Sequence, residues 1–123
     1  MENDQLTFGI DFDGTLARDP ALFGRFIRML HQAGHAAVLV TGRSDRTPHA
    51  AELLAVMREL PAIPIVWAGA HWKRHAAAVA GYSIDIWIDD MPEYIAPQDQ
   101  EAPMVKIRNQ GTTEGAGQKG GDK

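Results

Sequence analysis

The chain of 123 residues has no cysteine, so neither disulfides nor thiolate metal sites contribute to it. It has no apolar run of membrane-spanning length, and its opening Met1-Glu2-Asn3-Asp4-Gln5 is acidic and polar, unlike a secretory signal. The expectation is a soluble cytoplasmic protein with no membrane partner. A basic excess is missing too: 12 Lys and Arg face 16 Asp and Glu, for a net charge of -4. That balance gives no global attraction to nucleic acid, although local basic clusters can still bind phosphate. No Gly-Lys-Ser or Gly-Lys-Thr closes a phosphate loop, even in the glycine-rich C-terminal stretch, which counts against a nucleotide kinase. There is no internal repeat. What remains is ordinary for a globular chain, 45% hydrophobic and 23% charged, of a length that fits one domain with one core. That domain is expected over residues 1–108, with 109–123 a disordered polar tail.

Apolar runs alternate with helical patterns. Phe8-Gly9-Ile10, Ala36 to Val40, Ile63 to Trp67, Ser83 to Ile88 and Met104 to Ile107 read as strands, the third weakened by Pro64. Asp19-Pro20 reads as an N-cap and first helical residue, opening a helix to about Gln32 that Gly34 closes. Thr47-Pro48 opens a second helix, with Leu53, Leu54, Met57 and Leu60 on one face. An alanine-rich third helix runs from Arg74 to Ala80, and Met91-Pro92-Glu93-Tyr94 makes one helical turn. Strands alternating with helices predict an α/β, Rossmann-like, doubly wound parallel sheet of five strands.

Chemistry gathers where these strands end. Asp11 and Asp13 close the first strand on the same side, and at about 4 Å and an effective dielectric of about 20 their repulsion amounts to a few kcal/mol. A positive group is expected between them. Asp89 and Asp90 close the fourth strand, Thr41 the second, and Lys73 follows the third. Two carboxylate pairs suit a hard cation held by oxygen, such as Mg²⁺. For both pairs to touch one ion, strands one and four must be neighbours, which requires the order 3-2-1-4-5 and puts the reversal of strand order between the acids. Lys73 and Thr41 then supply a cation and a hydroxyl for phosphoryl oxygens. Plainer alternatives stand beside these: Asp13 as a turn cap, Asp90 as a helix cap, Thr41 as a strand end, and Lys73 and Arg43 as solvated cations.

Asp11-Phe-Asp13-Gly-Thr15, Thr41-Gly-Arg43, Lys73 and Asp89-Asp90 together resemble, in order and spacing, the four motifs of the haloacid dehalogenase-like (HAD) phosphohydrolases. The resemblance spans Phe8 to Asp90. It implies Mg²⁺-dependent hydrolysis of a phosphomonoester through an aspartyl-phosphate. Asp11 would be the nucleophile; Asp13 would be general acid and then base, with its backbone carbonyl on the metal. Thr41 and Lys73 would hold the transferring phosphate, and Asp89 and Asp90 would complete the metal site. Gly14, Thr15, Gly42 and Arg43 are the candidate substrate contacts. An acid at Asp13 argues for hydrolysis over dehalogenation.

Only 27 residues separate Asp13 from Thr41 and 31 separate Thr41 from Lys73, leaving no room for the family's usual cap domain. An open site suits a small metabolite closed in by a second subunit, or a phosphate on a polymer end. A nucleic-acid end is suggested by Arg43, Arg46, His49, Lys73 and Arg74 and disfavoured by the acidic total charge. A non-catalytic phosphate- or metal-binding module is the remaining reading. A receiver-type signalling domain fits poorly, because Trp67-Ala68-Gly69 stands where its acceptor acid would be.

Overall fold

In the computed structural model, which describes residues 4–46, 48–97 and 104–105, the apolar runs form four parallel strands. They are β1 (Thr7–Ile10), β2 (Ala36–Thr41), β3 (Ile65–Trp67) and β4 (Ile86–Ile88). Their spatial order is β3-β2-β1-β4, as the shared-ion argument requires for these strands. Ile10 stands between Leu39 and Ile88, and Thr41 beside Trp67, so the strands finish at one rim. The order reverses beside β1, which opens a crevice between the ends of β1 and β4. Met104 and Val105 pair in parallel with Trp87 and Ile88 on the far side of β4. Lys106, Ile107 and the expected tail 109–123 lie outside the described residues.

Three helices connect the strands: α1 (Pro20–Gln32), α2 (Pro48–Met57) and α3 (Lys73–Val79). The carboxylate of Asp19 accepts from the Leu22 N–H at 3.1 Å, Pro20 occupies the first turn, and Gly34 leaves the helix at φ +89°. Thr47, the expected cap of α2, lies outside the described residues. Besides these helices, the described residues of the three connections add only single 3-10 or irregular turns such as Leu16–Arg18, so among the described residues no inserted lid covers the rim. The expected turn after β4 is a 3-10 turn at Pro92–Tyr94.

Alternation along β2 feeds two cores. Ala37 and Leu39 join Ile10, Ile27, Leu30 and Leu53 beneath α1 and α2, whereas Val38 and Val40 join Val66, Trp87 and Ala77 beneath α3. Each fully buried Leu, Ile or Val contributes about 1.5–3 kcal/mol. Helices on both faces make the sheet doubly wound.

Two strand starts and one helix face differ from expectation. Ile63 and Pro64 stay outside β3, since Pro64 has no N–H for the ladder; its carbonyl accepts from Leu39 at 2.9 Å. Ser83 to Asp85 stay outside β4, because the Asp85 carboxylate takes the Thr7 N–H at 2.9 Å while the Asp85 N–H reaches the Thr7 carbonyl at 2.9 Å. Leu54 is 42% exposed rather than packed, because the buried stripe of α2 is Ala50, Leu53 and Met57, and its neighbour is turned about 100° away.

Candidate active site

The Asp11 N–H donates to the Ile88 carbonyl at 3.0 Å, which carries the β1–β4 pairing one residue past the strand and sets Asp11 beside Asp89. Both are buried. Between them lies Lys73, the first residue of α3, also buried, with its Nζ 2.7 Å from Asp11 Oδ1 and 2.7 Å from Asp89 Oδ2. Asp89 Oδ1 accepts from the Met91 N–H at 2.8 Å. The Thr15 hydroxyl donates to Asp11 Oδ2 at 3.0 Å and lies 3.4 Å from Asp90 Oδ1. Thr15, expected against substrate, thus steadies the candidate nucleophile. Gly14 makes this crowding feasible: its φ is +79°, and a Cβ there would collide with the Asp90 carboxylate.

Carboxylate oxygens of Asp11, Asp89 and Asp90 fall within 4.8 Å of one another. Three carboxylates without imidazole or thiolate form a donor set for a hard divalent cation. Lys73 neutralises one of these charges, so at full ionisation the cluster keeps a negative excess that a dication would balance.

Burial pushes the Asp11 carboxyl up to about 7, against the pull of Lys73 and with the help of Asp89. Burial likewise raises Asp89 above the usual carboxylate range, with Lys73 opposing. Burial works to lower the Lys73 ammonium, but attraction to Asp11 and Asp89 outweighs it and the net shift is upward.

Asp13 is placed differently from the expectation of one cation shared with Asp11. Its side chain is 56% exposed and forms a two-point bridge to Arg43, with Nε–Oδ2 at 2.9 Å and Nη2–Oδ1 at 2.6 Å. Arg43 also donates to the His49 carbonyl at 2.6 Å and Glu52 Oε1 at 2.9 Å, and its guanidinium lies 5.1 Å from the Phe12 ring centre. The two acids therefore have separate cations, and the Asp13 carboxylate is not part of the metal-competent cluster. The hydrogen bonds from Arg43 hold it below the ordinary carboxylate range.

Thr41 is fully buried, and its hydroxyl accepts from the Arg43 N–H at 3.1 Å, shaping the turn after β2. Its neighbour Gly42 lines the cavity of about 650 Å³ above the acids, as do Asp11, Asp13, Gly14 and Lys73. Trp72, directly before Lys73, lines it as well. Met91 and Tyr94 were not foreseen there; the signal for them is their position directly after Asp89-Asp90 on a turn that faces the same rim. His71 and His75 are exposed and outside the carboxylate cluster. No helix among the described residues is long and apolar enough to cross a membrane. No family model, curated protein or solved structure matches the chain.

Proposed function

We propose that the chain is a HAD-type phosphohydrolase that cleaves phosphomonoesters through an aspartyl-phosphate on Asp11 with the help of Mg²⁺. One observation carries this reading: Asp11, Lys73 and the Asp89-Asp90 pair come from three segments of the sequence and meet at the floor of one cavity. The parallel pairing of Met104–Val105 with β4 supports counting it as the fifth strand, giving the order 3-2-1-4-5.

Each residue has a part that its surroundings suit. Asp11, steadied by Thr15, offers the carboxylate oxygen that attacks phosphorus. As that bond forms, the ester P–O bond breaks, and the leaving oxygen takes a proton from Asp13. Asp13 then takes a proton from water, whose oxygen attacks phosphorus; the bond to Asp11 breaks, freeing its carboxylate and inorganic phosphate. Asp13 can pass protons only when its bridge to Arg43 opens, so Arg43 governs when this acid is free. Lys73, beside the attacking group, holds phosphoryl oxygens, while Thr41 acts indirectly through the Gly42-Arg43 turn. Asp11, Asp89 and Asp90 would hold the cation, and the donor set fits. When bound, Mg²⁺ offsets the phosphate charge that otherwise repels an anionic nucleophile.

The test is hydrolysis of an aryl phosphate by purified protein with Mg²⁺. Turnover is expected to vanish with chelator and to fall on the order of 10³-fold or more in Asp11→Asn. Undiminished turnover in that variant would remove Asp11 as the nucleophile.

A further inference from the structure

Large apolar side chains left exposed among the described residues fall into two groups. Leu6, just ahead of β1, and Leu22, Met29, Leu54 and Val79 on α1, α2 and α3 are scattered, which is ordinary for a protein surface. Trp72, Met91 and Tyr94, 46%, 39% and 57% exposed, instead converge on the cavity that holds the acids. Trp72 directly precedes Lys73, and Met91 directly follows Asp90, so the apolar surface begins where the charged floor stops. Three large apolar side chains exposed on the wall of one charged cavity need a reason that scattered exposed residues do not.

Cation supply narrows the occupant. Lys73 is the only Lys or Arg on the described cavity wall, and it is already shared by Asp11 and Asp89. One phosphate can be accommodated there, but a run of phosphates would meet Asp13 and Asp90 with no further Lys or Arg on the described wall, only the His71 imidazole, to answer them. Indole and phenol faces stack on flat rings, and a thioether adapts to their edges. We infer that Trp72, Met91 and Tyr94 form a shelf for a flat ring on the leaving group, making the substrate a ring-bearing monophosphate, either a nucleoside monophosphate or an aryl phosphate. This rests on the phosphohydrolase reading above and goes further by naming what the phosphate is attached to.

AMP and ribose 5-phosphate share the same primary-alcohol leaving group, so comparing them isolates the ring. With Mg²⁺, kcat/KM for AMP is expected to exceed that for ribose 5-phosphate by about tenfold or more, and Trp72→Ala and Tyr94→Ala each to bring the ratio toward one. Equal values in the unaltered protein, or a ratio untouched by both substitutions, overturn the shelf while leaving the phosphohydrolase reading intact. A higher kcat/KM on a 5′-phosphorylated oligonucleotide than on AMP overturns it in favour of a polymer end. The shelf is also read without turnover. In Asp11→Asn with Mg²⁺, AMP is expected to quench tryptophan fluorescence where ribose 5-phosphate does not, and adding Trp72→Phe to remove most of the quench. Phenyl phosphate run alongside AMP separates the two ring sources by which binds more tightly. If neither ester is hydrolysed by the unaltered protein, the phosphohydrolase reading fails, and a missing quench then removes the shelf as well.

Discussion

Arg43 is gripped by the carboxylates of Asp13 and Glu52 and by the His49 carbonyl, a set drawn from the turn after β1 and the start of α2. Its bridge lowers the Asp13 pKa in the folded state. The stabilisation is therefore complete above the free-carboxylate value of 3.8 and is lost as pH falls through the lower, folded value. Because the Asp13 side chain is 56% exposed, solvent screening limits the effect to about 1 kcal/mol or less. Arg43→Gln should lower the unfolding free energy by about that amount at neutral pH, and the difference should narrow in strong acid, where the His49 carbonyl still accepts; urea titrations at the two pH values check this. Asp11 and Asp13 were legible in the sequence because two acids abruptly end an apolar run. Their division between two cations was not, since it depends on where tertiary packing puts Arg43 and Lys73, 30 and 62 residues away.

At the scale of single elements, the turn from β1 into the Leu16–Arg18 segment is the tightest constraint. Gly14→Ala would force a side chain into the left-handed region at a cost of about 1–2 kcal/mol and drive it against Asp90. The expected result is a lower melting temperature together with weaker divalent-cation binding, read by thermal melts with and without the ion. Loss of stability alone would mean that Asp90 takes no part in cation binding. The limits of α1 were readable because Asp19-Pro20 and Gly34 act locally, through a capping carboxylate and a positive φ. The start of β4 was not, because the Asp85 carboxylate takes over a backbone role from its neighbour strand. Nor could the order of residues decide between Leu53 and Leu54 for the buried stripe; only the sheet beneath α2 does.

Across the whole molecule, the neighbourhood of β1 and β4 was inferable from the sequence alone, because acids on two strands can share one ion only if the strands touch. The aromatic side of the cavity was not, since Trp72 and Tyr94 reach the same cavity from two separate segments of the chain. The buried acids also set a global pH response. Asp11 titrates near 7 in the folded ion-free state against 3.8 as a free carboxylate, so the fold binds the proton more tightly and loses stability as pH rises between those values. A dication on Asp11, Asp89 and Asp90 favours the ionised form and should flatten that slope while raising stability, by about 2.7 kcal/mol at a hundredfold excess over Kd. Melting temperatures from about pH 4 to 8, in chelator and in Mg²⁺, check this, and identical slopes would count against ion binding at these acids.

The β3 end of the sheet carries a consequence of a different kind. A border strand is a template on which a foreign polypeptide can lay its own backbone, the first step toward fibrils. Here the border is three residues long and is preceded by an imino acid that lacks a donor, so little template is on offer. Crowding of many molecules together is thereby steered away from amyloid-like stacking along this edge.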